Sequence, residues 1–314
     1  MNKPLVSVCI PTYNSAKYLR QCLDSIAEQS YANYEVIISD NCSSDDTVSI
    51  IDEYVRKYGF KLYRNEANIG AGLNFIKLVK LAQGDYVAIY HSDDIYDATI
   101  IEHSVQVLMS DETIGLVGTL GDSIDELGVP FDTFRLPKHI KKMNKMKYCL
   151  DDALSTFGKR GWFFVTPSIM VRKEAYNKLG SFVLNKYGSA GDYEMWLRIA
   201  CNYNVAIIDK QLMHYRVHKE QGTEMQIRKN LDVADIVLVI DEYMHYAKSA
   251  RVRRQCKFTI QTNIVKAALR QNYYGLFDKS NVTLRAVTSK RLLLHKYAIR
   301  LCNLFGLSVK KRIL

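Results

Sequence analysis

The sequence predicts an α/β protein: a mostly parallel, doubly wound sheet followed by a helical C-terminal extension. Three observations carry this. Across the first hundred residues, short β-rich runs alternate with segments of helical spacing, the order in which βαβ units build a parallel sheet. The stretch Asp85–Asp94 keeps no polar face through Tyr86-Val87-Ala88-Ile89-Tyr90 and then stops in two adjacent carboxylates, as a strand covered by helices on both sides would. From about Glu224 the periodicity is helical, and Lys248–Leu314 holds 16 basic residues against one acid, Asp278.

Taken in order, Leu5–Ile10 reads as a strand ended by Pro11-Thr12-Tyr13-Asn14. Leu19, Cys22, Leu23 and Ile26 then recur at helical intervals. Tyr34–Ser39 is a second strand ending at Asp40, and Asn41–Thr47 combines turn and cap residues before a helix marked by Val48, Ile51, Val55 and Tyr58. Phe60–Tyr63 is a third strand, and Asn68-Ile69-Gly70-Ala71-Gly72 opens a third helix before the acid-ended run. Thr12, Asp40, Asp93 and Asp94 each fall at a strand's C-terminal end, so one crevice collects them. Downstream, Leu116–Thr119 is apolar, Ile124–Gly128 looks like a hairpin, and Phe131–Thr156 reads as variable loop. Order returns with Trp162–Arg172, a helix within Tyr187–Ala200 that Asp192 opens, and a strand at Val205–Ile208. The expected division is 1–220 as one catalytic domain, with a nucleotide-binding half 1–110 and an acceptor half 111–220, followed by the basic extension 221–314.

At 314 residues and 48% hydrophobic, the chain can bury a full core. No apolar stretch approaches the roughly 20 residues that span a bilayer, and no signal peptide is visible, so a cytoplasmic location is expected. Seven scattered cysteines without a Cys-x-x-Cys pair read as reduced, mostly buried small hydrophobes. The net charge of +10 is uneven: Met1–Asp209 carries 22 Lys and Arg against 26 Asp and Glu, the remainder 21 against 7.

Hard carboxylate oxygens placed side by side suit Mn²⁺ or Mg²⁺ bridging to substrate phosphates. The alternative is that Asp93 caps the following helix, with Asp97 in its first turn.

Val6–Asn14, Asp40–Thr47, Ser92-Asp93-Asp94 and Asp192–Arg198 together resemble the inverting family 2 glycosyltransferases with the A-type (GT-A) nucleotide-sugar fold. The resemblance covers about the first 220 residues, with four motifs in order. It implies that Pro11, Thr12, Tyr13, Asn14, Asp40, Asn68 and Asn74 line the donor site, with Thr12 and Asp40 on the base and ribose. Asp94, with Asp93, is implied to hold Mn²⁺ or Mg²⁺. Arg216 and His218 resemble the Tyr-Arg-x-His segment that folds over the diphosphate, and His218 is implied as a further metal ligand. Asp192 resembles the general base, its alternative being a charge at a helix start; Glu194 is the second candidate base. The chain departs from the pattern at His91, where many relatives carry an acid, and at Leu73-Asn74, where many have Arg-Asn. Lys77 stands one turn on, as a substitute or as a solvated helix lysine. Trp162 and Trp196 read as core or acceptor-pocket aromatics.

The implied reaction is transfer of a hexosyl or N-acetylhexosaminyl group from a nucleotide-diphosphate sugar, UDP foremost, to a glycan or lipid-linked acceptor in bacterial surface polysaccharide synthesis. A nucleotidyltransferase would need a glycine-rich phosphate loop after the first strand, and a dinucleotide oxidoreductase G-x-G-x-x-G; neither is present. A catalytically degenerate homologue used for binding or assembly is the non-enzymatic alternative. No nucleic-acid motif accompanies the basic tail. Leu294, Tyr297, Ala298, Leu301, Leu304 and Phe305 recur at helical spacing among Lys290, Arg291, Lys296 and Arg300, which suits a helix lying on the anionic inner face of the cytoplasmic membrane. Packing on the catalytic domain, or on a second copy in a homo-oligomer, is the competing reading.

Overall fold

The computed structural model describes residues 3–156, 165–184, 186–219, 221 and 231–308. The N-terminal part alternates β1 (Val6–Thr12), α1 (Ala16–Ala27), β2 (Tyr34–Asp40), α2 (Thr47–Tyr58), β3 (Lys61–Arg64), α3 (Ala71–Leu81) and β4 (Tyr86–Ile89). β1 pairs in parallel with β2 and with β4, and β2 with β3. The chain therefore steps outward from β1 to β3, crosses back through α3, and lays β4 on the other side of β1. The carboxyl ends of β1 and β4 flank this reversal, where open α/β sheets bind ligands.

Side-chain alternation explains the layering. Val6, Val8 and Ile10 pack with Leu19, Leu23 and Ile26 of α1 and with Ile50, Ile51 and Tyr54 of α2. The opposite face takes α3, where the Cys9 thiol meets the Leu78 carbonyl. With both faces covered, β1 and β4 contain almost no exposed residue, which is why they read as continuous apolar runs.

The remainder of the sheet is mixed. After β5 (Ile95–Tyr96) and α4 (Ile100–Ser110), β6 (Ile114–Ile124) and β7 (Pro130–Thr133) form the expected hairpin. The region expected as loop holds α5 (Lys138–Met143), β8 (Lys147–Tyr148) and α6 (Leu150–Thr156). These elements are short, and their buried anchors, among them Ile140, Tyr148 and Leu154, are too sparse to show a period. β9 (Met170–Arg172), α7 (Lys173–Leu179) and α8 (Gly191–Asn202) follow; β9 pairs antiparallel with β4 and β6. The strand read at Val205–Ile208 continues as β10 (Asn204–Arg216), parallel to β6, with register shifts at Ile208/Gln211 and Gln211/His214. Those shifts and the exposed Asp209-Lys210-Gln211 hide its second half from the pattern. The thiols also differ from expectation: Cys9, Cys22 and Cys256 are buried, but Cys42, Cys149 and Cys201 are exposed.

The chain divides into two compact units, one of residues 1–150, 162–186 and 194–218, the other of 151–161, 187–193 and 219–314. The second contains the helices Ile236–Tyr243, Ala250–Tyr273, Phe277–Arg285 and Leu293–Leu304. Its core joins Ile264, Val265, Ala268 and Leu269 to Leu284, Val287, Leu292 and Ile299. A buried polar network runs through it: Asn272 donates to Asn303 at 2.7 Å, and Asn303 to Ser280 at 3.1 Å and to Asn281 at 2.8 Å. No helix among the described residues is long and apolar enough to cross a membrane.

Candidate active site

In the first unit, the loops after β1 and β2 are tied to each other. Thr12 Oγ1 donates to Asp40 Oδ1 at 3.2 Å. Asn14, at φ 47°, bonds through its backbone N–H to Ser43 Oγ and accepts from the Ser44 N–H, both at 2.9 Å. The fully buried Asp40 also takes the Ser43 N–H at 3.0 Å and the Ser43 hydroxyl at 2.5 Å. Asp40 thus accepts three hydrogen bonds and fixes its turn. Pro11 lies in register with Ser39 on the adjacent strand. Tyr13 is half exposed beside Asn14.

A polar lattice continues from this cradle. Asn68 Oδ1 accepts from Asn41 at 2.8 Å and from the Gly70 N–H at 2.9 Å. The buried Asn74 donates to the Ser39 carbonyl at 2.8 Å and accepts from the Ser39 hydroxyl at 2.7 Å and from Asn65 at 3.2 Å. Asn74 thus faces the fold and positions Asn65, whose carbonyl receives Lys77 Nζ at 2.6 Å. Leu73, in the place of an arginine, is exposed.

After β4, the turn His91–Asp94 is held from several sides. The Tyr96 hydroxyl accepts the His91 N–H at 2.7 Å, and Ser92 Oγ meets Ser15 Oγ at 2.9 Å. Asp93 does not cap the next helix: Thr99 precedes α4, and Asp97 accepts the Thr99 N–H and hydroxyl. Instead Asp93 Oδ2 lies 3.0 Å from His218 Nε2. The fully buried Asp94 accepts the Arg216 N–H through Oδ1 at 2.8 Å. Its Oδ2 is also buried, has no hydrogen-bond partner among the described residues, and lies 3.9 Å from His91 Nδ1.

The two neighbouring acids are driven apart. Burial raises both, but the His218 hydrogen bond and the nearby imidazoles bring Asp93 below the usual carboxylate range. Burial, and then the Asp93 charge, push Asp94 well above it, with Arg216 only partly offsetting. An orphaned oxygen on a buried acid is what a cation would satisfy. One ligand atom each from His91, Asp93 and Asp94 lies within 4.8 Å of the others. Burial lowers the His91 imidazole, with the Asp93 charge acting against it; a neutral imidazole is the form that ligates metals. The sequence reading treats His91 only as a departure; the available signal is its spacing, two and three residues before the acids.

Arg216 is held within the fold of the first unit. It is buried, and its guanidinium reaches the Asp93 carbonyl at 2.9 Å, the Asp125 carbonyl at 3.1 Å and Gln21 at 2.6 Å. It also lies over the Tyr18 ring, 4.6 Å from the centroid. Trp196 is a core residue, edge-on to Phe182 at 5.8 Å; Trp162 lies outside the described residues. Glu194 is buried and paired with Arg198 at 2.9 Å.

In the second unit, Asp192 stands in the first turn of α8, where Oδ1 accepts the Tyr193 N–H at 2.8 Å. Burial, and then the Asp192 charge, raise the Tyr193 phenol. The segment before it is anchored: Tyr187 donates to Glu242 at 2.5 Å, and Ser189 gives Asp235 both its N–H and its hydroxyl at 2.8 Å.

An α/β sheet with an acid pair at its reversal, Asp94 buried and Asp93 partly so, and a polar cradle beside it is the arrangement of a GT-A glycosyltransferase. The chain belongs to glycosyl transferase family 2, whose sequence profile matches residues 7–180. It is 32% identical over 237 residues to an uncharacterized glycosyltransferase of Methanocaldococcus jannaschii, covering 73% of this chain and 76% of that one. S. aureus TarS 1–349 in complex with UDP-GlcNAc superposes with a TM-score of 0.62 at 19% identity, over 95% of this chain and 88% of the other. The mannosyltransferase PcManGT of Pyrobaculum calidifontis, in complex with GDP-Man and Mn²⁺, gives 0.61 at 18% identity, over 96% and 81%.

Proposed function

We propose that the protein transfers a hexosyl or N-acetylhexosaminyl group, with inversion, from a UDP-sugar to a hydroxyl of a glycan or lipid-linked acceptor in bacterial surface polysaccharide synthesis. The observation that carries this reading is the buried, unpartnered Oδ2 of Asp94 beside Asp93 and His91. Asp94 and Asp93 would hold Mn²⁺ or Mg²⁺, with His91 or His218 as nitrogen donor, and the bound ion would neutralise the leaving diphosphate. The likeness to TarS with UDP-GlcNAc and to PcManGT with GDP-Man and Mn²⁺ supports such a donor and ion. Thr12 and Asp40 bind the base and ribose, with the Tyr13 ring beside them; Pro11, Asn14, Asn68 and Asn74 shape the loops that present these groups. Arg216 positions the acid turn rather than gripping the diphosphate.

Asp192 takes the proton from the acceptor hydroxyl as its oxygen attacks the anomeric carbon opposite the departing diphosphate. One displacement inverts the configuration, and a carboxylate suits the oxocarbenium character of the transition state. Glu194 is a poor alternative, because its charge is buried against Arg198. Asp192→Asn is expected to lower kcat by roughly 10²–10⁴ with donor affinity nearly intact. Turnover near the normal rate would remove Asp192 from this role. Thermal shift across a panel of nucleotide sugars, with and without Mn²⁺, identifies the donor.

The second unit supports peripheral membrane attachment. On Leu293–Leu304 the inward side gives Ile299 and Asn303 to the core, whereas Leu294, Tyr297, Leu301, Leu304 and Phe305 are exposed, Leu294 by 83%. An exposed apolar stripe in a segment with 16 basic residues to one acid fits an anionic bilayer surface. Full-length protein is expected to sediment with anionic but not neutral vesicles and to release as salt rises. Indifference to anionic vesicles at low salt would make the stripe an assembly surface.

A further inference from the structure

A cleft of about 330 Å³ in the second unit is lined by Met244, His245, Ala250, Arg253, Arg254 and Lys257. Its volume is at the lower end of the roughly 300–1,000 Å³ typical of small-molecule sites. Four of the six lining residues are basic or imidazole side chains and none is acidic. Arg253 is committed to structure, donating to the Ala247 and Lys248 carbonyls. His245, Arg254 and Lys257 make no hydrogen bond or ion pair with the described residues and are exposed. Asp151 is the acid that contacts this turn, and its two oxygens accept the Lys248 and Ser249 N–H groups at 2.8 Å each.

The local sequence concentrates positive charge at this helix start. The helix Ala250–Tyr273 begins Ala-Arg-Val-Arg-Arg, with Ser249 capping Val252. A helix start carries partial positive charge and favours acids in its first turn. Here Arg251 and Arg253 occupy it instead, Arg254 follows directly, and Lys257 adds a like charge one turn from Arg253 and Arg254. Asp151 answers the backbone N–H groups of this helix start, and the exposed side chains of Arg254 and Lys257 gather positive charge on the cleft beside it.

We propose that this cleft binds a phosphate group, carried either by the headgroup of an anionic lipid or by a soluble phosphorylated molecule. A guanidinium fork matches phosphate geometry, and a phosphate's charge can answer two cations where a carboxylate answers one. The site is separate from the metal turn of the first unit and does not depend on the transferase reading.

The test is calorimetric titration of the full chain with inorganic pyrophosphate in metal-free buffer, beside sedimentation with phosphatidylcholine vesicles with and without phosphatidylglycerol. Arg254→Gln and Lys257→Gln should each weaken pyrophosphate binding by roughly tenfold, whereas Asp94→Asn should leave it unchanged. Loss of vesicle binding in the same variants, with pyrophosphate competing in the parent, assigns the phosphate to a lipid headgroup. Vesicle binding that ignores the variants assigns it to a soluble molecule. Pyrophosphate and vesicle binding both insensitive to Arg254→Gln, Lys257→Gln and Arg254→Glu would overturn the proposal.

Discussion

Two buried polar clusters in this molecule are built on opposite plans. In the C-terminal unit, Asn272, Ser280 and Asn303 are inside the core, and each finds a partner within 3.1 Å. At the end of β4, Asp94 is as deeply buried, yet one of its oxygens has no hydrogen-bond partner among the described residues while a second carboxylate stands next to it. The first plan spends neutral groups on one another and fixes how the helices Ala250–Tyr273, Phe277–Arg285 and Leu293–Leu304 meet. The second stores an electrostatic demand that a cation or a proton answers. Position in the core therefore does not distinguish these two clusters; the pairing of a buried, under-bonded carboxylate with a second acid does.

Substitution should separate the two plans sharply. Asp94→Asn keeps the shape and deletes the charge. Affinity for Mn²⁺, read by titration or electron paramagnetic resonance, should fall by roughly 100-fold, and metal-dependent binding of the nucleoside diphosphate with it. The same variant should melt higher than the parent in metal-free buffer at neutral pH, because it relieves a buried carboxylate. A lower metal-free melting temperature would show that Asp94 is structural, and the contrast would collapse.

Asn303→Ala attacks the other cluster and should do the reverse. Removing its donors and acceptor leaves Asn272 and Ser280 buried and under-bonded, at a cost of about 1–3 kcal/mol in unfolding free energy, with Mn²⁺ and donor affinity unchanged. A smaller effect is expected from pH. The folded-state value of Asp94 is raised, so its native proton contributes stability at acid pH, and that contribution fades as pH climbs above the ordinary carboxylate range near about 4. Metal-free parent and Asp94→Asn should therefore have diverging stabilities as pH rises and converge in acid, by denaturant titration. Asp93 is lowered and works in the opposite sense: its contribution is present at neutral pH and is lost as pH falls through its folded value. The least change is expected from Ser92→Ala, which cuts the 2.9 Å tie to Ser15 at about 1 kcal/mol or less.

What the sequence makes legible follows from the same distinction. β1, β2 and β4 are covered on both faces, so their pattern is unbroken and their acid ends stand out. The Asp40 and Asp93-Asp94 positions follow directly. β10 is legible only in its first half because its register shifts and exposed middle break the alternation. The elements between Phe131 and Thr156 are hidden because a few residues such as Ile140 and Leu154 anchor them. Arg216 is the hardest case. A motif names the residue, but the direction of its side chain depends on partners at Gln21, Asp93 and Asp125, which no local pattern brings together.

That side chain also bears on how the protein comes to be folded. Its bonds close loops of 91, 123 and 195 residues, and contacts so distant in sequence form late, after nearer pairings have shortened the path between them. The seat of Asp94 depends on the same strand end, through the backbone N–H of Arg216. A chain whose helices and inner strands have formed but whose last long strand is out of register has nearly full secondary structure and no seat for a cation. During refolding, Mn²⁺ binding should accordingly return with the slowest phase, behind the far-ultraviolet dichroism, making the ion a reporter of topological completion.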